Sequence, residues 1–268
     1  MSEYTIERGF GVRERMDLLA RAHEPGTSSL LDIVGIPEGA RCVDLGCGGG
    51  HITFELARRA GRAGSALGVD PDDELLTLAR GEAAEQHLNA TFRAESVEEF
   101  SDTGFDVAFA RMLLSHVADP AAMVTRMAEA VRPGAVVIVE DVHFAGCFTE
   151  PACDAYDRWV AWFKAAVRHA HGDLDVGPRL PAMLRAAGLR DIGLRVAQPA
   201  RLDGPVKQLQ QQSMEKVRTA VLGAGVTTAD EYDEAHAELK AFTDDPTTIV
   251  ASPRMIQTWG RRVADGAA

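Results

Sequence analysis

The sequence has no apolar run that approaches the ~18 consecutive residues of a membrane-spanning helix. Its first ten residues, MSEYTIERGF, lack the basic segment and apolar stretch of a signal peptide, so we expect a cytoplasmic protein. It also lacks an excess of basic residues: 28 Lys and Arg stand against 40 Asp and Glu, which gives a net charge of −12. Because contacts with phosphates need a basic face, this balance argues against nucleic acid as the main partner.

Cysteine is scarce as well, and its spacing excludes the commonest structural zinc site. The four cysteines are Cys42, Cys47, Cys147 and Cys153, and no two of them form a CxxC pair. The HAH stretch at 169–171 is followed by two acids, but such clusters at helix ends often arise by chance. We therefore predict no metal site.

What is present is an alternation of short apolar runs and helical patterns that begins near residue 40. Strands are predicted at 41–45, 65–69, 90–94, 105–110 and 135–139, and helices at 52–60, 72–87 and 120–131. Such alternation is typical of an α/β fold whose parallel sheet is covered by helices on both faces.

The second half of the chain is richer in helical patterns. Helices are predicted at 151–170, 180–187, 205–222 and 229–242, and strands at 192–197 and 255–261. Two late strands that are separated by helices indicate a sheet edge interrupted by a helical insertion.

The glycine-rich stretch VDLGCGGGH at 43–51 joins the first predicted strand to the first helix. Open parallel sheets bind ligands at the carboxyl ends of their strands, and glycine lets the backbone approach a ligand with positive φ. The helix that follows supplies free N–H groups and the positive end of its dipole. The stretch therefore predicts a ligand site.

The acids around this loop narrow the choice of ligand. A dinucleotide loop of the form GxGxxG would need a third glycine where His51 stands. The order is instead DxGxGxG, formed by Asp44, Gly46, Gly48 and Gly50. Asp70 ends the second strand, where an acid can accept both hydroxyls of a ribose, and Glu95 follows the third strand. Three acids at successive strand ends suit a cationic ligand with hydroxyls and an amine, and they would repel a pyrophosphate.

At this point the chain resembles the class I S-adenosylmethionine-dependent methyltransferases. The resemblance covers residues 30–145 through VDLGCGGG, GVDPDD, RAES, FDVAFARMLLSHVADP and RPGAVVIVED, in that order. The flanking stretches ERMDLLARAHEPGTSSLLD, DVGPRLPAMLRAAGL and SPRMIQTWGR are also similar to small-molecule members. One departure is Ala135, which stands where the family more often has a glycine, in the turn before the fifth strand.

The resemblance implies a Rossmann-like fold with seven strands, mostly parallel with the last one antiparallel, helices on both faces and helical cap insertions. It implies one domain over residues 1–268. Its parts would be N-terminal cap helices at 1–29, a cofactor-binding core at 30–145, cap insertions at 146–190 and 203–250, and a last strand at 251–263.

The resemblance also implies S-adenosyl-L-methionine as cofactor and assigns roles to the matching positions. The loop would approach the methionine part through its backbone, and the acid before it would orient the loop and attract the amino group. Asp70 would hold the ribose, and Glu95 and Ser96 would flank the adenine. Ala110 and Arg111, at the end of the fourth strand, would line the methionine side. The implied cofactor-binding residues are Asp44, Gly46, Cys47, Gly48, Gly50, Asp70, Pro71, Glu95, Ser96, Ala110 and Arg111.

Two histidines are the candidate catalytic bases, and each has a structural alternative. His116 lies just past the fourth strand, but members of the resembling family with unrelated substrates often carry a histidine there, which favours a general packing or cofactor-side role. His143 follows the fifth strand, where Glu140 and Asp141 would either meet the substrate or serve charge balance and loop bonding. The absence of an obvious catalytic pair does not exclude methyl transfer, because alignment alone can supply roughly 7–11 kcal/mol.

The helix predicted at 151–170 carries Trp159, Trp162 and Phe163. These rings either pack the helix or line a flat apolar pocket in a cap above the cofactor. The second interpretation favours an aromatic or polycyclic acceptor.

The sequence therefore predicts methyl transfer from S-adenosylmethionine to an oxygen or nitrogen of a small molecule, in specialised metabolism. Two alternatives stay open: a protein that binds this cofactor without methyl transfer, as a scaffold or for a cyclisation, and a nucleotide-dependent oxidoreductase. The expected partner is the small-molecule acceptor, without nucleic acid or membrane, and a homodimer stays open.

Overall fold

Ten strands occur in residues 12–263, the part of the chain that the computed structural model describes. They are β1 (Arg41–Leu45), β2 (Ser65–Asp70), β3 (Ala90–Ala94), β4 (Phe105–Arg111), β5 (Val131–His143), β6 (Phe148–Glu150), β7 (Leu189–Ala197), β8 (Ala200–Arg201), β9 (Ile249–Ala251) and β10 (Arg254–Arg262). Eight α-helices lie in the same range: α1 (Val12–Val34), α2 (His51–Ala60), α3 (Asp73–Glu85), α4 (Pro120–Ala130), α5 (Asp154–His169), α6 (Leu180–Ala186), α7 (Leu209–Gly223) and α8 (Ala229–Asp244). Within this range, no helix combines the length and the apolarity that crossing a membrane requires.

Seven of the strands form a central sheet in the order β3-β2-β1-β4-β5-β10-β7. Strands β1 to β5 pair in parallel, and β10 runs antiparallel to both of its neighbours. The predicted seven-stranded, mostly parallel sheet with an antiparallel last strand is thereby confirmed. The strand order reverses between β1 and β4, so the carboxyl ends of these strands open onto a crevice where sheets of this kind bind ligands.

Helices cover both faces of the sheet, as the alternation predicted. On one face, Cys42, Val107 and Ile138 pack with apolar side chains of α1 and α2. On the other face, Val43 and Ala108 belong to a core that includes α4 and α6. Because both faces are covered, the middle strands are apolar on both sides, which explains the continuous apolar run that marked β5 in the sequence.

Strand β5 is longer than the strand predicted at 135–139. It begins at Val131, so it includes the Arg-Pro-Gly stretch that the sequence assigned to a turn. It ends at His143 because β10 pairs with it over the whole stretch from Val136 to His143. The partner strand therefore fixes the end of β5, and that partner is more than 100 residues away in the chain.

Helices α5, α7 and α8 form a cap over the carboxyl end of β5. Tyr156, Trp159 and Tyr232 are fully buried in the cap, and they share one apolar cluster with Val142 and Phe144. Beside the cap lies a small antiparallel sheet, β6-β9-β8, which the sequence did not predict. Helix α6 falls in the predicted cap insertion but packs on the central sheet with α4 instead.

The N-terminal segment also differs from the expectation of several cap helices at 1–29. Residues 12–34 form the single helix α1, while residues 1–11 lie outside the described part of the chain. Helix α1 continues through Pro25 because its last turns bury Leu30, Leu31 and Val34 against the sheet. This long helix reaches from the sheet face to the glycine loop.

Candidate active site

The loop between β1 and α2 turns on glycines with left-handed backbone angles. Gly46 has a φ of 71° and Gly50, the N-cap residue before α2, has a φ of 82°. A Cβ atom would lie 2.9 Å from Leu113 at Gly46 and 2.9 Å from the Phe92 ring at Gly50. Both positions therefore require glycine for conformation and for packing, as the sequence pattern indicated.

Asp70 fixes the far side of this loop. Its Oδ2 accepts a hydrogen bond from the Gly48 N–H at 2.9 Å, and its Oδ1 accepts one from the Asp72 N–H at 3.0 Å. Its main-chain oxygen accepts a bond from the Glu95 N–H at 3.2 Å. Asp70 therefore connects the glycine loop to the segments that follow β2 and β3.

Asp44 lies beneath the loop and is only 1% exposed. Its Oδ2 accepts a hydrogen bond from Thr53 Oγ1 of α2 at 2.7 Å. Burial raises the pKa of Asp44 to about 6, although the Thr53 bond and the positive charge of Arg111 oppose the rise. This carboxylate therefore connects β1 to the first turn of α2, which fits the predicted role of orienting the loop.

The residues expected near the adenine have protein partners of their own. Glu95 forms an ion pair with Arg93 at 3.2 Å, and Ser96 donates a hydrogen bond to Glu98. Pro71 is exposed beside Asp70. Their contact with a cofactor stays a prediction.

Helix α1 contacts the loop through residues that the sequence did not single out. His51 Nε2 lies 2.8 Å from Asp17 Oδ1, and Arg13 donates to Asp17 at 3.0 Å and to the Gly49 carbonyl at 3.3 Å. Burial lowers the pKa of His51, and the Asp17 bond opposes this effect. The start of α2 is thus partly covered by α1, and no motif in the sequence marked Arg13 or Asp17 for this contact.

Glu140 is sealed inside the protein, so the interpretation that it meets the substrate is wrong. It is fully buried, and it accepts hydrogen bonds from Thr27 Oγ1 at 2.7 Å and from Gln257 Nε2 at 2.6 Å. Burial raises its pKa, while the charge of Arg111 and the two donors lower it. Glu140 connects α1, β5 and β10, because strand alternation turns its side chain toward the face that α1 covers.

The side chains of Ala110 and Arg111, which end β4, point to opposite faces of the sheet. Ala110 is fully buried in the core beside α4. Arg111 points the other way, where its Nη1 lies 3.4 Å from Thr27 Oγ1 and its charge acts on Asp44. Arg111 is thus part of the polar group beneath α1, and its contact with the methionine part of a cofactor stays a prediction.

Asp141 forms hydrogen bonds with the loop after β4, which is the structural alternative to contact with the substrate. Its Oδ2 accepts from the N–H groups of Leu114 and Ser115 at 2.7 and 3.2 Å, and its Oδ1 from the Val142 N–H at 2.8 Å. Burial raises its pKa to about 6, against these bonds. Asp141 therefore fixes the segment after β4, which carries His116.

His116 opens onto a cavity, which we call the cap cavity, between α1, the segment after β4 and the cap. The cap cavity has about 510 Å³ of free space, part of it open to solvent. Its polar lining is formed by Arg15, His23, Ser115, His116 and Gln210. Burial and the charge of Arg15 lower the pKa of His116 to about 4. His116 is therefore neutral near pH 7.

Of the three aromatic residues predicted to line a pocket, Phe163 reaches the cap cavity, where Phe144 meets it at 5.6 Å between ring centres. Trp159 is fully buried behind Phe163, stacked on it at 4.8 Å. Trp162 stacks on Tyr232 at 5.8 Å. The two tryptophans thus pack the cap, which was the alternative interpretation.

His143 lies elsewhere: it pairs with Arg254 between β5 and β10, and it is not one of the described residues that line the cap cavity. Its catalytic role stays a prediction. Within residues 12–263, no group of three or more His, Cys, Asp or Glu side chains is arranged to hold a metal ion.

Comparison with known proteins gives consistent results. The family model described as "Methyltransferase domain" matches residues 36–184. The "Ubiquinone biosynthesis O-methyltransferase" of Rhizobium etli (strain CIAT 652) is 30% identical over 154 residues, which are 57% of this chain and 60% of that protein. The chain thus matches less than two thirds of the length of this curated relative.

Solved structures share the fold at low sequence identity. The YcgJ protein from Bacillus subtilis superposes with a TM-score of 0.60 at 17% identity, over 90% of this chain and 99% of that one. The [4+2]-cyclase SpnF superposes with a TM-score of 0.55 at 18% identity, over 91% of this chain and 82% of that one.

Proposed function

Because the chain belongs to the class I S-adenosylmethionine-dependent methyltransferases, we propose that it transfers a methyl group to an oxygen of an aromatic small molecule in the cap cavity. The observation that carries this proposal is the position of Asp70. Its carboxylate binds the Gly48 N–H of the glycine loop at the switch point of the sheet, where sheets of this kind bind their ligands. The sequence predicted nitrogen acceptors equally. The residues that line the cap cavity disfavour nitrogen acceptors that carry a positive charge, as argued in the next subsection.

The residues at the switch point fit S-adenosylmethionine. The cofactor supplies an electrophilic methyl group on a sulfonium when it is bound. Asp70 would accept its ribose hydroxyls, and the backbone of Gly46 and Cys47 would lie against its methionine part. Glu95 and Ser96 would flank the adenine. Asp44 holds the loop to α2 from below.

The cap cavity supports an aromatic acceptor. Phe144 and Phe163 form an apolar wall, and the fully buried Trp159 backs Phe163. Such a wall positions a planar acceptor and excludes water from the transfer, and correct positioning is what this displacement needs most. His116 presents a neutral imidazole to the same space.

The oxygen acceptor has support from the relative named an O-methyltransferase. That relative's name also refers to ubiquinone biosynthesis, so the expectation of specialised metabolism stays a prediction. The single domain, the cytoplasmic location and the homodimer stay predictions as well. Family membership favours methyl transfer over the nucleotide-dependent oxidoreductase.

Binding of the cofactor without methyl transfer is the second candidate. It is favoured by the low pKa of His116, which makes this imidazole a weak base. The fold does not decide between the two, because it is shared with a protein described as a [4+2]-cyclase. Label from S-adenosylmethionine that carries a labelled methyl group would appear in a small-molecule product only under the first candidate.

Calorimetry with S-adenosylmethionine tests the assigned site. We expect micromolar-range binding by the native protein and at least a tenfold loss in Asp70→Ala. Asp70→Asn should also lose affinity, because its NH₂ group would face either the Gly48 or the Asp72 N–H. Asp73→Ala is the matched control, since Asp73 is an exposed acid of the same segment whose partner is Arg80. Equal affinity in Asp70→Ala and Asp73→Ala would refute the ribose role.

A further inference from the structure

His23, on the side of α1 that faces the cap cavity, has no place in the function described so far. It is only 3% exposed, and it lines the same cavity as His116. Within residues 12–263, it forms no hydrogen bond with another residue. Buried polar side chains in proteins nearly always have a hydrogen-bond partner, so a buried imidazole that faces only a cavity indicates that a ligand supplies the partner.

We propose that His23 binds the hydroxyl group of the methyl acceptor and that the cap cavity selects phenols over cationic amines. This proposal rests on the proposed function and adds the class of acceptor and the residue that recognises it. His23 is a binding residue in this assignment, and the methyl transfer itself is the one described above.

The charges around His23 support selection against cations. Arg15 is the only fully charged side chain among the described residues that line the cavity, and no carboxylate lies among them. Burial lowers the pKa of His23 to about 3, and the charges of Arg111 and Arg201 add to this effect. An ammonium group in the cavity would therefore meet positive charge and no carboxylate among the described lining residues, which is costly in a partly enclosed space.

A neutral imidazole is well suited to a hydroxyl group. One of its nitrogens accepts the hydroxyl proton in a hydrogen bond, and the other can donate. His116 and Gln210 line the same space, although Gln210 Oε1 already accepts a hydrogen bond from Trp159 Nε1 at 3.3 Å. Within the described range His23 forms no hydrogen bond, and the buried Ser115 hydroxyl of the same lining also has no partner.

The apolar walls define the rest of the acceptor. The edge-to-face pair of Phe144 and Phe163 offers flat surfaces, and Leu19, Leu174 and Leu209 close the other sides. The cavity is partly open to solvent. A ring system that carries one hydroxyl satisfies both the walls and His23.

The test uses 2-naphthol as a phenol probe and 2-naphthylmethylammonium as a cation of similar size. Binding of each is measured by calorimetry on the full chain saturated with S-adenosylhomocysteine. We expect 2-naphthol to bind the native protein at least tenfold more tightly than the cation. His23→Phe should weaken 2-naphthol binding at least tenfold, and His23→Gln, which keeps a hydrogen-bonding group, should stay within threefold. His169→Phe, at the exposed end of α5, is the control.

Several outcomes overturn the proposal. They are equal binding of both probes, no binding of 2-naphthol, or unchanged 2-naphthol binding in a folded His23→Phe variant. If His23→Phe fails to fold, two measurements still decide. They are the comparison of the two probes on the native protein and the binding of 2-naphthol by the His23→Gln variant. Binding of S-adenosylhomocysteine is measured separately in every variant. Its absence in the native protein would refute the proposed function, whereas its presence with any overturning outcome refutes only the role of His23.

Discussion

The hydrogen bond from Thr53 to Asp44 offers a direct test of how the glycine loop is held. Thr53→Val keeps the shape of the side chain but removes the hydroxyl that donates to Asp44 Oδ2 at 2.7 Å. Both residues are almost fully buried, so no water is expected to replace the lost donor. The variant therefore leaves a buried carboxylate with one donor fewer.

The size of the effect follows from the charge on Asp44. A hydrogen bond to a charged group contributes about 1.5–3 kcal/mol and one between neutral groups about 1 kcal/mol. Asp44 has a pKa of about 6 in the folded protein, so it is ionised at pH 8 and mostly protonated at pH 5. We expect Thr53→Val to lower the free energy of unfolding by about 2–3 kcal/mol at pH 8 and by about 1 kcal/mol at pH 5.

The direction of this pH dependence of stability follows from proton linkage. Without Thr53 the carboxylate is less stable, so the pKa of Asp44 in the folded variant rises above 6. The folded variant then binds more protons than the folded native protein between pH 5 and 8. Because stability falls with pH wherever the folded state holds more protons than the unfolded state, the variant loses stability more steeply as the pH rises.

Urea unfolding at pH 5, 6, 7 and 8 measures this difference. The control is Thr125→Val, because the Thr125 hydroxyl donates to its own helix at an exposed position of α4. Its effect should be small and independent of pH. A Thr53→Val loss that is the same at pH 5 and pH 8, or no larger than the control, would show that Asp44 is not held by this bond as a charged group.

Two further predictions concern the loop and the cap cavity. Gly50 has a φ of 82°, and the Cβ of an alanine there would lie 2.9 Å from Phe92. Gly50→Ala should therefore lower the free energy of unfolding in urea by about 1–3 kcal/mol and weaken S-adenosylmethionine binding in calorimetry. Gly81→Ala is the control and should not destabilise the protein, because nothing lies within 4 Å of the added Cβ. His23 has a pKa of about 3 when folded against an ordinary 6.5, so the unfolded chain binds the extra proton and stability falls as the pH drops below 6.5. His23→Gln should remove up to about 1.4 kcal/mol per pH unit of this slope between pH 4 and 6, and an unchanged slope would contradict the burial of a neutral His23.

The candidate site was predictable where its residues follow strands directly. Asp44 and Asp70 lie at the carboxyl ends of adjacent parallel strands, and parallel pairing brings such ends together whatever the rest of the chain does. Gly46 and Gly50 were visible for a similar reason, because a glycine-rich turn between a strand and a helix requires positive φ locally. The roles of these residues toward the cofactor came from the resemblance and stay predictions.

The rest of the site depends on residues that are far apart in the sequence. His23 faces the cap cavity because α1 packs beside the segment after β4, and a lone histidine on a helix carries no pattern that predicts this. Glu140 looked like a pocket residue at a strand end, but Thr27 and Gln257 enclose it from two other elements. The small sheet β6-β9-β8 was missed because strands of two or three residues are too short for a periodic pattern.

The sequence by itself determined the alternation of strands and helices, the glycine turn and the acids at the strand ends, since these depend on the backbone preferences and spacing of neighbouring residues. Only the tertiary structure decided which side chains meet in the cap cavity and which carboxylates are sealed from it. Burial and partner choice arise when distant segments pack, and the same acid or histidine becomes a ligand contact or an internal bond according to what packs against it.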